Sequence, residues 1–199
     1  TEGRLAMSIQ EVLPLGGAAA EQPGQFRADH LLVAEMVKPG SKVLDVGCGE
    51  GVLTEQWADR FERVVGVDLE HPALRHEWAR RSRPNLEFHA AEAGALPFAD
   101  RAFDLVCAIE VLEHLPDPAG ALEEMARVAR RALLVSVPRE PLWRALNLLR
   151  GAYWRSLGNT PGHLNHWSAR GLRTLVARYG AVAATRTPNP WTIVLVDLS

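Results

Sequence analysis

Nine residues, Val43-Leu44-Asp45-Val46-Gly47-Cys48-Gly49-Glu50-Gly51, constrain this chain more than any others. A short apolar run of β type stops at Asp45, the chain turns through three glycines, and a helical pattern opens at Val52. Glycines at 47, 49 and 51 let the backbone turn sharply and let a ligand lie against bare main chain. The amide groups at the following helix start can face a polar or anionic ligand. That order of strand, glycine turn and helix points to a nucleotide-like cofactor.

The rest of the chain supplies the same unit repeatedly. Lys42–Val46 reads as a strand and Val52–Phe61 as a helix. Arg63–Val67 reads as a strand, Pro72–Arg81 as a helix and Leu86–His89 as a short strand. Phe103–Ile109 is a further strand, Pro118–Arg130 a helix and Ala132–Val137 a strand. These strands are apolar on both faces, as in a parallel sheet covered by helices. The rhythm predicts an α/β fold with a doubly wound, mostly parallel seven-stranded sheet. A helix over Ala169–Tyr179 then precedes Val182–Arg186 and Thr192–Asp197, whose tight Pro188-Asn189-Pro190 link predicts an antiparallel C-terminal edge.

A chain of 199 residues with 47% hydrophobic and 23% charged residues fills one soluble domain. Residues 1–24 read as a flexible arm, a helix is expected over Phe26–Val37, and 25–199 read as the domain. A formal charge of −2 gives nucleic-acid binding no support from bulk electrostatics. Two cysteines, Cys48 and Cys107, form no CxxC motif and read as free thiols of a reducing compartment. With no secretory pattern and no apolar run of membrane-spanning length, a cytoplasmic protein is expected.

Gly47 to Asp68 has the spacing of a glycine loop and an acidic residue ending the second strand, which can accept hydrogen bonds from both ribose hydroxyls. The loop is GxGxG and not the GxGxxG of dinucleotide enzymes, which weakens a pyrophosphate reading. The segment Val43–Gly51 resembles motif I of the class I S-adenosylmethionine (SAM)-dependent methyltransferases. Gly66-Val67-Asp68 resembles their second motif, and Leu96-Pro97-Phe98 through Phe103-Asp104-Leu105-Val106 their LPF…FDLV block. The resemblance implies a Rossmann-like methyltransferase fold with SAM as cofactor. It implies that Asp45, Gly47, Cys48 and Gly49 hold the methionine part, Asp68 the ribose, and Leu69 a face of the adenine. Glu92 falls where the family places an Asp for the adenine amino group, and Ala93 would offer its N–H to the ring.

The fourth strand ends in Ala108-Ile109-Glu110-Val111-Leu112-Glu113-His114-Leu115. Ligands of open parallel sheets gather at such strand ends. On one helical turn, Glu110, Glu113 and His114 would share a face. Two readings stand. In one, Glu110 touches the methionine part of the cofactor, Glu113 is solvated and His114 packs or serves as general base. In the other, the ExxEH arrangement resembles the ubiquinone-biosynthesis-type O-methyltransferases and the small-RNA 2′-O-methyltransferases. That resemblance implies a divalent metal (Mg, Mn or Zn) on Glu110, Glu113, His114 and His163, with His166 second to His163.

Residues 139–167 follow the fifth strand as a substrate-cap insertion. Within 139–155, Arg144, Arg150 and Arg155 accompany Trp143, Tyr153, Trp154 and a leucine stripe. This stretch either packs on the sheet or touches a membrane surface as a basic amphipathic helix. The leading expectation is a SAM-dependent methyltransferase with catalytic Glu113 and His114, acting on an oxygen of a small, apolar or lipid-linked acceptor. An RNA 2′-O-methyltransferase, a non-catalytic SAM-binding protein and a nicotinamide-binding oxidoreductase are the alternatives.

Overall fold

Seven strands form one sheet in the order β3-β2-β1-β4-β5-β7-β6. The computed structural model describes residues 41–199; the expected arm over 1–24 and helix over Phe26–Val37 lie outside the described residues. The strands are β1 Lys42–Val46, β2 Arg63–Asp68, β3 Leu86–Ala90, β4 Phe103–Ile109, β5 Ala129–Pro138, β6 Ala181–Arg186 and β7 Trp191–Asp197. The helices are α1 Val52–Trp57, α2 Pro72–Arg80, α3 Pro118–Val128, α4 Leu142–Leu149 and α5 Ala169–Val176. Strands β1 to β5 run parallel. Strand β7 is antiparallel to both β5 and β6 and lies between them. The doubly wound α/β sheet with antiparallel pairing at its C-terminal side is therefore present.

Two apolar layers explain why the strands are hydrophobic on both faces. Val43, Val64, Leu105, Leu134 and Ile193 meet Trp57 and Phe61 on one side. Leu44, Val65, Val106, Leu133 and Val194 meet Leu122, Met125, Val128, Leu172 and Val176 on the other. Helix α3 buries Ala121, Leu122, Met125 and Val128, a single helical stripe. Its start is set by Asp117, whose carboxylate accepts from the Gly120 N–H at 3.0 Å, and by Pro118 at the first helical position.

Helix ends differ from the expectation. Helix α1 stops at Trp57, and α3 yields to β5 at Ala129, whose first residues already pair with β4 at Phe103. Strand pairing outcompetes the helical propensity of Ala129-Arg130-Arg131. The LPF…FDLV stretch is largely a packing device. Phe98 meets Phe103 edge-on at 4.9 Å, and Arg127 of α3 donates to the Leu96 and Phe98 carbonyls at 3.0 and 2.8 Å.

Chain order reverses between β1 and β4. Their C-terminal ends, at Val46 and Ile109, open the crevice where ligands of such sheets bind.

Candidate functional site

The glycine loop is fastened to the end of β2. The Gly47 and Cys48 amides both donate to the Val67 carbonyl, at 2.8 and 3.0 Å. Gly47 has φ +76°, and a Cβ there would run into Val111, so glycine is required twice over. Gly49 differs, since a Cβ there would meet nothing within 4 Å. The inner wall of the loop is bare at that point.

Helix α2 grips the loop from behind. The Trp78 indole donates to the Gly49 carbonyl at 2.8 Å, and Arg81 Nε donates to the Glu50 carbonyl at 2.6 Å. Trp78 stacks on Phe88 with ring centroids 5.4 Å apart, and Phe88 fills the space where a Cβ of Gly51 or Gly66 would sit. Gly51 therefore serves packing more than ligand approach. Sequence reading singled out none of Trp78, Arg81 and Phe88. The available signal was the apolar pair Leu74 and Trp78, four residues apart in a helix whose other long side chains are polar.

Asp68 is buried at the end of β2. One carboxylate oxygen accepts from the Gly49 amide and the other from the Leu69 amide, both at 2.7 Å. Burial raises its pKa from the usual value, while those two amides pull it back. Asp45, also buried, accepts from the Thr54 hydroxyl at 2.7 Å. Burial pushes its carboxyl up to about 7, Thr54 opposes this, and the charge of Asp68 adds to it. No basic side chain figures among the influences on either carboxyl. Two buried carboxyl groups beside an open stretch of loop backbone suit a ligand that carries positive charge. Cys48 shares this pocket and its thiol stays protonated, since burial and then the charges of Asp45 and Asp68 raise its pKa. Glu92 is exposed and Ala93 half-buried, just past the C-terminal end of the edge strand β3.

The catalytic edge departs from the single-face expectation. Glu110 adopts φ +57°, and Leu112–His114 forms one 3₁₀ turn in place of an α-helical one. Glu113 and His114 instead meet His163, with ligand atoms all within 4.8 Å of one another. Glu110 is not a member of that cluster. His166 is directed to Asn159 Oδ1 at 2.7 Å, so His163 is the histidine brought to the site.

Glu113 is only 2% exposed, and neither of its carboxyl oxygens has a hydrogen-bond partner among the described residues. Burial pushes its pKa up to about 8. The expectation of a solvated Glu113 is thus overturned by the loop 159–167, which lies over the turn. Its Leu164 and Asn165 amides donate to the Glu113 carbonyl at 2.8 and 3.1 Å. His114 Nδ1 lies 3.1 Å from the Gly162 carbonyl. A carbonyl only accepts, so Nδ1 carries the proton and Nε2 keeps a free lone pair. Burial lowers the His114 pKa, against the smaller upward pull of that hydrogen bond. Burial also lowers His163, to about 4, assisted by His114, His166 and Arg144. Both imidazoles are neutral near pH 7, when each can act as base or metal ligand.

The cap supports this cluster. The Trp143 ring lies nearly parallel to His163 at 6.2 Å and its indole donates to Thr160 Oγ1 at 2.8 Å. Buried Asn147 donates to the Gly158 carbonyl at 2.7 Å and to Thr160 Oγ1 at 3.2 Å. One face of α4 thus fastens the 158–163 loop that carries His163.

Residues 44–133 match the family model of a methyltransferase domain. The chain is similar to the demethylmenaquinone methyltransferase of Paenarthrobacter aurescens (strain TC1), 38% identical over 130 residues, covering 62% of this chain and 51% of that protein. It is also similar to the ubiquinone biosynthesis O-methyltransferase of Psychrobacter arcticus, 41% identical over 106 residues, covering 50% of this chain and 41% of that protein. The chain spans about half the length of the curated relatives it matches. Among solved structures it resembles magnesium protoporphyrin IX methyltransferase from Synechocystis PCC 6803 with bound S-adenosylhomocysteine. The TM-score is 0.65 at 20% identity, over 87% of this chain and 81% of that one, a likeness of fold.

Proposed function

We propose that this chain is a class I SAM-dependent methyltransferase, a reading that its match to the methyltransferase-domain model and its two relatives support, and that it transfers a methyl group from SAM to an oxygen of a small quinone-like acceptor. The observation that carries this reading is the presence of two buried carboxyl groups, Asp45 and Asp68, at the strand ends beside the open face of Gly49. Carboxylates so placed favour a cationic ligand with hydroxyls and an ammonium group. When bound, SAM supplies a methyl group on a positively charged sulfur. The names of the two relatives support a quinone-like acceptor.

Asp68 would accept from the ribose hydroxyls through its remaining lone pairs while the Gly49 and Leu69 amides hold it in place. Asp45 and the Gly47–Gly49 loop orient the amino-acid tail, with Glu110 at the methionine side. Leu69 flanks the adenine, and Glu92 and Ala93 line its outer edge. Alignment of the acceptor oxygen with the methyl group provides much of the rate. His114, through its free Nε2, takes the acceptor's proton. Glu113, buried beside His114 and His163, would face the acceptor from a desolvated position.

Glu113, His114 and His163 also fit a divalent cation. One carboxylate and two neutral imidazoles leave further positions open, and the unpartnered oxygens of Glu113 await a positive group. Such an ion would lower the pKa of the acceptor hydroxyl. The nicotinamide alternative is weaker, because β5 is followed in the sheet by antiparallel β7 and not by the parallel strands of a second nucleotide half.

Calorimetric titration with SAM, S-adenosylhomocysteine and NAD tests the reading, followed by mass spectrometry of a hydroxylated quinol incubated with SAM. SAM binding and a mass gain of one methyl group are expected. Tight NAD binding without SAM binding would defeat the assignment.

A further inference from the structure

The loop that brings His163 to the site is a β-turn fastened at both ends. Thr160-Pro161-Gly162-His163 has proline second, glycine third with φ +87°, and the His163 amide donating to the Thr160 carbonyl at 3.1 Å. These are the marks of a type II turn, in which glycine supplies the positive φ. The turn serves both imidazoles. Its third residue offers the carbonyl that lies 3.1 Å from His114 Nδ1, and its fourth is His163, whose ring stands edge-on to that of His114 at 4.9 Å. One unit therefore fixes which nitrogen of His114 carries the proton and where the second imidazole stands.

The two ends are held by different parts of the chain. The exit is held by the segment it covers, through the Leu164 and Asn165 amides on the Glu113 carbonyl and the Asn165 side-chain amide on the Leu115 carbonyl at 2.7 Å. The entry is held by α4. Thr160 Oγ1 accepts from the Trp143 indole at 2.8 Å and from Asn147 Nδ2 at 3.2 Å, which uses both of its lone pairs. Trp143 is itself braced by Trp191, ring centroids 5.0 Å apart. Asn147 also donates to the Gly158 carbonyl at 2.7 Å, and a Cβ at Gly158 would strike the Arg144 carbonyl, so the loop backbone rests on the helix. Packing does not explain this residue. Asn147 is 1% exposed and its Oδ1 has no partner among the described residues, while Leu146 and Leu149 of the same helix face solvent. An apolar residue would cost less to bury; what the amide adds is a pair of donors to the loop.

We propose that Thr160, Trp143 and Asn147 are positioning residues: acting through the 160–163 turn, they fix the tautomer of His114 and seat His163 beside Glu113. The hydrogen bond from His114 Nδ1 to the Gly162 carbonyl leaves Nε2 with a free lone pair, which proton transfer and metal ligation both require. The consequence for turnover rests on the methyl-transfer reading; the tautomer does not.

The test follows the ring nitrogens of His114 in chelator-treated full chain carrying isotope-labelled histidine. Long-range proton–nitrogen correlation spectra are recorded at about pH 8, where an ordinary imidazole is neutral. The His114 signals are assigned by their loss in His114→Ala. Wild type is expected to show the Nδ1–H tautomer alone. Thr160→Val keeps the shape, deletes the hydroxyl and should give a mixture of tautomers. Its kcat toward the hydroxylated quinol should fall on the order of 10- to 100-fold, as for a displaced reacting group, with the SAM dissociation constant within about two-fold. Thr160→Ser restores the hydroxyl and should return the single tautomer and most of the turnover. Should Thr160→Val melt below the assay temperature, Trp143→Phe, which keeps a ring against Trp191 and deletes the indole donor, decides by the same spectrum. An unchanged Nδ1–H tautomer in the deciding variant overturns the proposal, since the exit alone then holds the turn. So does a mixture already present in wild type, and so does a shifted tautomer with kcat unchanged. Wild type that neither binds SAM nor methylates the quinol sinks the methyl-transfer reading and leaves the tautomer to decide the proposal.

Discussion

The two ends of the crevice treat a buried carboxyl group in opposite ways. Asp68, at the glycine loop, is held by two backbone amides at 2.7 Å. Glu113, at the cap, is more deeply buried and has no partner for either oxygen among the described residues. The cofactor end is therefore organised before any ligand arrives, whereas the acceptor end is completed by what binds there. An unpartnered buried carboxylate costs at least about 1–3 kcal/mol, which is why Glu113 holds its proton up to about pH 8 in the absence of a cation.

Loss of the imidazole at the cap end gives the largest expected effect. His114→Ala should lower kcat by about 10²–10⁴-fold, the usual contribution of a positioned base, and leave the SAM dissociation constant within about two-fold, a change of ~0.4 kcal/mol. Full turnover in the variant would clear His114 of a chemical role. A large loss of SAM affinity would merge the two ends of the crevice into one site.

Stability against pH separates the ends next. The Glu113 carboxyl is raised from the ordinary 4.5 to about 8 and that of Asp45 from 3.8 to about 7. Between those limits the folded state holds protons that the unfolded chain has released, so stability is full at low pH and falls as pH rises. His163, lowered from 6.5 to about 4, acts in the opposite sense over its own window. Above about pH 6.5 only the carboxyls remain, and chelator-treated protein should lose on the order of a few kcal/mol by about pH 8.5. Glu113→Gln should flatten most of that slope in thermal melts, leaving the share of Asp45. Mn²⁺ or Zn²⁺ should raise the wild-type melting temperature and not that of Glu113→Gln. A steep slope surviving in the variant would show that Glu113 is not the unsatisfied group.

At the cofactor end, Asp68→Ala removes the ribose acceptor and the loop's anchor together. SAM affinity should fall by about 1–3 kcal/mol, read by calorimetry, with turnover at saturating SAM much less affected. An unchanged dissociation constant would refute the ribose role.

The sequence showed the cofactor end better than the cap, for a physical reason. Strand runs such as Phe103–Ile109 and the spacing from Gly47 to Asp68 are local patterns, and the sheet positions them by its own rules. Glu113, His114 and His163 were also legible as residue types. The separation of Glu110 from them was not, because the helical turn that would have set the three on one face is replaced by a left-handed residue at 110 and a single 3₁₀ turn. The burial of Glu113 depends on a loop some 50 residues away closing over it, as Asn165 does by donating to Leu115 O at 2.7 Å. In α4, the leucine stripe reads equally well as packing or exposure, and the structure leaves Leu146 and Leu149 outside while burying Asn147.

The smallest effect tests whether the cofactor end owes its order to the loop alone or to its outer grip. A trans peptide sets its N–H opposite its C=O. By holding the Gly49 carbonyl outward, Trp78 turns the Glu50 amide the other way, toward the crevice. Trp78→Phe keeps an aromatic ring against Phe88 and deletes only the indole donor. One neutral hydrogen bond contributes about 0.5–1.5 kcal/mol, so SAM should bind about 2- to 10-fold more weakly with kcat nearly unchanged. Arg81→Lys, which lengthens the second hold at the Glu50 carbonyl, should add to that loss. If both variants bind SAM as wild type does, the glycine turn is held by Val67 and Asp68 alone, and the contrast with the cap rests on those two residues.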